Sequence, residues 1–284
     1  MKIVNLDGYT TNPGDLSWDW LGNYGEYKVY DRTAPEQIVE RAKGADILII
    51  NKSVITAQML ENLPNLKFVG LQSTGYNVID CKAARARNIT VSNIPAYSTT
   101  GVAQLVFAFI LQVADNVSLH SDAVHNGEWC ECPDFCFWKT PLTELDGKTI
   151  GIIGFGSIGR RVAQIANAFG MNVEVFTTHP KPDEYKNVNF VDFDTLLSDS
   201  DFITCHCPLT EKTENLIDKN AIDKMRKNAV VINTSRGPVV NDEDLADALN
   251  SGKIKAAGVD VLRVEPPEKE NPLLHAKNCY ITPH

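Results

Sequence analysis

The chain has no apolar run of about 18 residues, the length a membrane-spanning helix needs, and no block of about five like charges. No repeat with a period of about 20 to 50 residues and no low-complexity tract is present, which excludes solenoids, propellers and biased linkers. Basic residues are the minority. Lys plus Arg number 27 against 36 for Asp plus Glu, a formal charge of −9, so neither a nucleic acid nor an anionic membrane is an expected partner. The opening MKIVNLDGYTTNPGD turns polar after one apolar stretch too short for the core of an export signal, and a cytoplasmic protein is expected.

An even set of cysteines is also missing. Cys81, Cys130, Cys132, Cys136, Cys205, Cys207 and Cys279 make seven, and without an export signal they read as reduced thiols rather than a disulfide framework. The cluster CECPDFC, with His125 just upstream, offers soft ligands for zinc. Its C-x-C-x3-C spacing lacks the paired C-x2-C units of common structural sites, so no metal is expected there. The preferred reading is an aromatic-rich loop whose cysteines pack as small hydrophobes.

What is present is a chain of 284 residues, 43% hydrophobic, long enough for two domains. KIVNL, YKVY, ADILII, LKFVGLQ and ITVSN read as strands, and APEQIVERAKG, TAQMLENLP and IDCKAARARN between them read as helices. This alternation implies parallel pairing and a sheet covered on both faces, so residues 1–94 form one small open α/β domain. From residue 95, Ser98 is a candidate N-cap for a long apolar helix through GVAQLVFAFILQVADNVSLHSDAVHNGEW. A loop carrying WCECPDFCFW then leads to a second series of strands in KTIGIIGFG, NVEVFTT, DFITCHC, AVVINTS, KIKAAGVDV and CYIT, and residues 95–284 form the second domain.

In TIGIIGFGSIGRRVAQ a G-x-G-x-x-G pattern, Gly154, Gly156 and Gly159, stands between an apolar strand and an amphipathic helix. The first glycine permits a tight turn, the second lets the backbone approach a pyrophosphate, and the third lets helix and strand pack closely. The phosphates would meet free N–H groups at the helix start, near Ser157 and Ile158. A dinucleotide is therefore the expected cofactor. The next strand ends VEVFTTHPKP, placing Thr177 where NAD binders carry an acid for the ribose hydroxyl, with His179 and Lys181 following. Without the acid nothing repels a 2′-phosphate, and a Lys favours one, which points to NADP or to use of both cofactors. In the other reading Thr177 simply hydrogen-bonds the ribose of NAD.

Three further stretches end predicted strands, where open α/β sheets hold ligands: INTSRGPVV, GVDVLRVEPPEKENPLL and CYITPH. Arg236 offers a planar fork of donors for a keto-acid carboxylate or carbonyl. Glu265 is placed to orient and charge-stabilise an imidazole, and His284 to give a proton to a carbonyl being reduced and take it back in reverse.

With LQSTGYNVID, VSNIPAYSTTGVAQ, PLTELDGKTIGIIGFGSIG, CHCPLTEKTENLI, VINTSRGPVVNDEDL, GVDVLRVEPP and ITPH in one order over nearly the whole chain, the sequence resembles the D-2-hydroxyacid dehydrogenases, and within them the glycerate dehydrogenase (hydroxypyruvate reductase) group. The resemblance implies two doubly wound parallel-sheet domains, a flavodoxin-like substrate domain and a Rossmann cofactor domain, with the active site in the cleft between them. It implies Arg236 as the substrate-binding arginine, Glu265 as the histidine's partner and His284 as the acid/base. The backbone of Ser73, Thr74 and Gly75 would hold the substrate carboxylate. On the cofactor side it adds Ser157 and Ile158 at the pyrophosphate, Thr177 at the ribose, Cys207, Pro208 and Thr213 along the adenine, and Thr234 with Asp260 near the nicotinamide.

The implied reaction is NAD(P)-dependent reduction of hydroxypyruvate or glyoxylate, with another small D-2-hydroxy acid, or a non-catalytic NAD(H)-sensing module, as the alternatives. A homodimer paired through the cofactor domain is implied too, with the helix GVAQLVFAFILQVA and the aromatic loop as its contact unless the helix is buried in its own chain. Relatives continue past TPH with a helix that returns to the first domain, so a truncated sequence is expected here. A catalytic histidine at a fraying end would be poorly held, and about 1 Å of misplacement costs on the order of a hundredfold in rate.

Overall fold

The computed structural model describes residues 1–284, in two compact units, Met1–Ser98 and Thr99–His284. In the first unit, strands β1 (Lys2–Asn5), β2 (Glu26–Val29), β3 (Ile47–Ile50), β4 (Phe68–Leu71) and β5 (Thr90–Ser92) form an all-parallel sheet in the order β2-β1-β3-β4-β5. This is the flavodoxin-like order, whose winding reverses between β1 and β3. Helices α1 (Gly8–Thr11), α2 (Ile38–Ala42), α3 (Ala57–Glu61) and α4 (Cys81–Ala86) lie between the strands. The Thr56 and Asp80 side chains start α3 and α4 by accepting from the N–H groups of Met59 and Ala83.

Alternate strand residues face opposite sides of the sheet. Val4, Leu48, Ile50, Val69 and Leu71 pack with Ile38, Ala42, Leu60 and Ala84 into the unit's core. Ile47, Ile49, Phe68 and Gly70 face the other way, are only half-buried, and line an apolar cavity of about 400 Å³ with Trp18, Trp20, Leu21 and Tyr24. The expected cover on both faces is thus uneven. The segment between β1 and β2 carries Pro13 and Gly14, which break helices, and it forms only α1 and a 3₁₀ turn, Asp19–Asn23.

The second unit opens with α5 (Thr99–Asp115) and α6 (Val117–His125). Its sheet contains β6 (Thr149–Ile153), β7 (Asn172–Phe176), β8 (Asn189–Phe190), β9 (Phe202–Cys205), β10 (Val230–Asn233), β11 (Ala256–Val259) and β12 (Cys279–Ile281). All strands run parallel in the order β12-β11-β10-β9-β6-β7-β8, the doubly wound dinucleotide-fold order with one strand added at an edge. Helices α7 (Ser157–Ala168), α8 (Phe193–Asp199), α9 (Lys219–Lys224) and α10 (Asp242–Ser251) connect them. Every residue of β9, β10 and β11 is buried, as expected of near-continuous apolar runs in a sheet packed on both faces.

Two local readings change. The helix expected as one piece breaks at Asn116, whose φ of 49° is left-handed, and the two parts meet at 53°. Asn116 anchors the break by donating from Nδ2 to the Thr140 hydroxyl at 3.1 Å. Strand β8 has only two residues, too few for a periodic signal in the sequence. No single helix is long and apolar enough to cross a membrane. The apolar face of α5 is taken up inside its own unit: Ala103, Val106, Phe109 and Ile110 are buried, and a Cβ on Gly258 of β11 would overlap the Phe109 ring.

The cysteine loop also departs from expectation. Cys130 and Cys136 are exposed and Cys132 is half-buried, so they do not pack as core hydrophobes. The loop follows α6 over the surface, with Phe135, Trp138 and Leu142 exposed beside them. No group of three or more His, Cys, Asp or Glu side chains is arranged to hold a metal ion.

Candidate active site

Strand β6 ends at Ile153, and the chain turns through Gly154 with φ at +95°, a conformation that only glycine adopts without strain. A Cβ at Gly154 would press at 2.8 Å on the His206 carbonyl and the Cys207 nitrogen, so this glycine lets the loops after β6 and β9 meet where the winding reverses. A Cβ at Gly159 would overlap the Gly154 carbonyl; that glycine brings α7 down onto the turn. Gly156 differs. Nothing of the protein lies within 4 Å of a Cβ built there, and α7 starts at Ser157 with no side chain capping it. The N–H groups of Ser157 and Ile158 thus stand at the positive end of a helix with open space in front, which is what a pyrophosphate requires.

At the end of β7 the Thr177 hydroxyl accepts from the His179 N–H at 3.4 Å. Lys181 donates to both carboxylate oxygens of Glu184, at 2.9 and 3.1 Å, so its charge is matched locally. Arg160, in the first turn of α7, donates to the Phe155 carbonyl at 3.2 Å. Beyond β9, Thr213 closes the next loop, its hydroxyl donating to the Pro208 carbonyl at 2.6 Å and accepting from the Thr210 N–H at 2.8 Å. Burial pushes the Cys207 thiol up and holds it protonated. Thr234, at the end of β10, is buried and its hydroxyl has no protein partner.

Three loops leave the same end of neighbouring strands. After β10, the Asn233 side chain accepts from the Ser235 N–H and hydroxyl and donates to the Arg236 carbonyl, shaping the turn that carries Arg236. A Cβ on Gly237 would overlap the Leu262 backbone, so this glycine lets the β10 loop lie against the β11 loop. In that second loop the Leu262 N–H donates to Glu265 Oε1 at 3.1 Å. The other carboxylate oxygen of Glu265 lies 2.6 Å from His284 Nδ1, with both side chains about a third exposed. Strand β12 delivers the histidine by pairing Val259 with Ile281, and the Thr282 hydroxyl donates to Asp260 at 2.6 Å.

The structure therefore brings Glu265 and His284 into direct contact and ties Asp260 to the strand that carries the histidine. It does not join Arg236 to them: that guanidinium donates to the Ser235 carbonyl at 2.7 Å. In the first unit, Ser73 and Thr74 donate their hydroxyls to the carbonyls of Gly75 and Ile94, at 2.8 and 2.9 Å, and Asn93 donates to the Thr74 carbonyl. The carbonyls are occupied, while the N–H groups of Thr74 and Gly75 have no protein acceptor.

His206, in the loop after β9, was not singled out by sequence reasoning. Its Nε2 lies 2.9 Å from the Thr204 hydroxyl, its Nδ1 is buried without a partner, and burial holds its pKa down to about 3. The available signal was its spacing. Two residues beyond Thr204, it stays on the same side of an extended chain.

The family described as "D-isomer specific 2-hydroxyacid dehydrogenase, NAD binding domain" matches residues 107–284. A hydroxypyruvate reductase from Blautia hydrogenotrophica is 48% identical, over 100% of this chain and 89% of its own length. An acyclic imino acid reductase solved in complex with NADPH and D-Arg superposes with a TM-score of 0.87 at 32% identity, covering 100% of this chain and 89% of that one. D-Lactate dehydrogenase from Aquifex aeolicus, complexed with NAD and lactic acid, superposes with a TM-score of 0.87 at 28% identity, covering 100% and 88%.

Proposed function

The chain belongs to the D-isomer specific 2-hydroxyacid dehydrogenase family, and from that premise we propose that it reduces hydroxypyruvate to D-glycerate, and glyoxylate to glycolate, with a nicotinamide dinucleotide. The observation that carries this reading is the Glu265–His284 contact of 2.6 Å at the C-terminal end of the second sheet. A module that only sensed NAD(H) would have no use for an oriented imidazole.

When bound, the reduced nicotinamide supplies the hydride that C2 of the keto acid accepts. Glu265 accepts from Nδ1–H of His284 and keeps that proton in place, so that the protonated ring gives the proton on Nε2 to the substrate oxygen and is left as the neutral Nδ1–H tautomer. The Leu262 N–H holds the carboxylate in place, and Glu265 balances the charge of the protonated ring. Arg236 takes the substrate's carboxylate or polarises its carbonyl. Ser73, Thr74 and Gly75 offer backbone N–H groups to the carboxylate from the first unit, which we read as the substrate domain.

In the second unit, read as the cofactor domain, Gly154, Gly156, Ser157, Ile158 and Gly159 serve the pyrophosphate. Thr177 serves the ribose, Cys207, Pro208 and Thr213 the adenine side, and Thr234 and Asp260 the nicotinamide side. The orphaned Thr234 hydroxyl supports this placement, since buried polar groups nearly always have partners. The lack of an acid at Thr177 supports use of both NADPH and NADH; Lys181, paired with Glu184, adds little to it. The exposed Phe135, Trp138 and Leu142 support a homodimer through the cysteine loop, the apolar helix being spent within its own unit. Seven free thiols suit the cytoplasm.

The test is cofactor oxidation, followed with a panel of 2-keto acids against both NADH and NADPH. Fastest turnover on hydroxypyruvate or glyoxylate supports the reading, and no turnover on any member of the panel sinks it.

A further inference from the structure

In the first unit the winding reverses between β1 and β3, and Asp7, two residues past the end of β1, fills that position. It is buried at 5% exposure. Its Oδ2 accepts from the N–H groups of Asn51, Lys52 and Ser53 at 2.8, 3.2 and 3.0 Å, and its Oδ1 accepts from the Ser53 hydroxyl at 2.8 Å. A buried carboxylate is costly unless its oxygens are satisfied, and here the loop after β3 is folded around it to satisfy them. Asn51 is tied down further by donating to the Thr10 hydroxyl at 2.9 Å. The loop is thus held at its root, at the end of the middle strand of the sheet.

The side chain this clamp presents is Lys52. It is exposed between two buried neighbours, and its ammonium makes no ion pair and no hydrogen bond. Strands β3 and β4 are adjacent and parallel, with Ile50 beside Leu71 and the Gln72 N–H donating to the Ile50 carbonyl at 2.8 Å. Lys52 and Ser73 therefore each lie two residues past the ends of these paired strands, in loops that leave the same end of the sheet. An exposed, unpaired cation thus belongs to the loop that follows β3, and the next strand, β4, leads into the turn whose Thr74 and Gly75 N–H groups have no protein acceptor.

We infer that Lys52 supplies a positive charge to the substrate's carboxylate at the Ser73–Gly75 turn, and that Asp7 is the positioning residue that aims it. The inference rests on the proposed reduction of 2-keto acids. Backbone N–H groups give direction to a carboxylate, and the ammonium adds a charge without geometric demands. Because the carboxylate is common to every 2-keto acid, the contribution is the same whatever the rest of the substrate.

The experiment measures kcat and KM of the full chain, wild type and variants, for hydroxypyruvate and glyoxylate at low and high salt. Lys52→Met should raise KM for both acids by about tenfold or more, with kcat and the KM for cofactor unchanged, and the difference should shrink as salt screens the charge. Lys52→Arg should recover most of the loss. Asp7→Asn should raise KM in the same sense, and combined with Lys52→Met it should add nothing further, as expected of two residues acting through one contact. Lys52 is on the surface, so its variants answer the question even if Asp7→Asn fails to fold. An unchanged KM in Lys52→Met, a rise confined to one acid, or equal loss in the Arg variant overturns the inference. A wild type inactive on all keto acids would instead overturn the proposed function.

Discussion

The two units put opposite electrostatics at the same topological place. At the β1/β3 reversal the first unit buries a carboxylate, and Asp7 absorbs three backbone N–H groups that a ligand would otherwise meet. At the β6/β9 reversal the second unit has a glycine turn with open space at Gly156 and an uncapped helix start at Ser157, so its N–H groups remain on offer. Parallel winding supplies a crevice at the strand ends in both units. The side chain at that strand end decides whether the crevice receives an anion or builds a rigid loop beside it.

The largest expected effect tests whether the second unit is where proton transfer occurs. His284→Ala should lower kcat for hydroxypyruvate by about 10² to 10⁴, the usual contribution of a positioned acid, with cofactor affinity nearly unchanged in a fluorescence titration. Retained turnover would remove the acid/base assignment. The next breaks the glycine half of the comparison. Gly156→Ala places a methyl where the protein has nothing, so the folded state should lose about 1 kcal/mol or less while cofactor Kd rises about tenfold or more. If a thermal shift shows the larger loss in stability instead, the space at Gly156 has a structural purpose.

Thr177→Asp should move the NADH/NADPH ratio of kcat/KM toward NADH by about tenfold, because an acid there repels a 2′-phosphate. An unchanged ratio would place cofactor selection elsewhere, with Arg160 the next residue to vary.

The smallest expected effect contrasts two polar groups, the buried and fully partnered Asp7 and His206, whose buried Nδ1 has no partner. Burial holds His206 down to about 3 from its ordinary 6.5. Between those values the unfolded chain binds the proton and the native one does not. This contribution to stability is therefore intact above pH 6.5 and is lost as pH falls toward 3, by at most about 1.4 kcal/mol per pH unit. Urea unfolding at pH 7 and pH 5 should show a shallower pH dependence in His206→Phe than in wild type. Equal slopes would mean the ring is protonated in the native state.

Much of the architecture was legible because its signals are local. Short β-branched runs alternating with amphipathic stretches identify parallel α/β units, and Gly154, Gly156 and Gly159 mark a dinucleotide turn because strand and helix flank them within a few residues. Glu265 and His284, which the structure brings into contact, were singled out by their position after strands, as was Arg236, which it does not join to them. The Asp7 clamp was not, since its partners lie 44 to 46 residues away and a single Asp before a Gly reads as an ordinary turn. Strand β8 was too short to show a period, and the break at Asn116 interrupts an apolar run without a Gly or Pro to announce it.

The sequence by itself determined the order of the elements, the parallel sheets and the chemical types held at the strand ends, because periodicity and turn chemistry act between near neighbours. Only the tertiary structure decided which of those residues meet. Glu265 reaches His284 across 19 residues because β12 pairs in register with β11, and the β10 loop lies against the β11 loop because Gly237 has no side chain. Such contacts depend on register and close approach, which are set by packing across the sheet and leave no periodic trace along the chain.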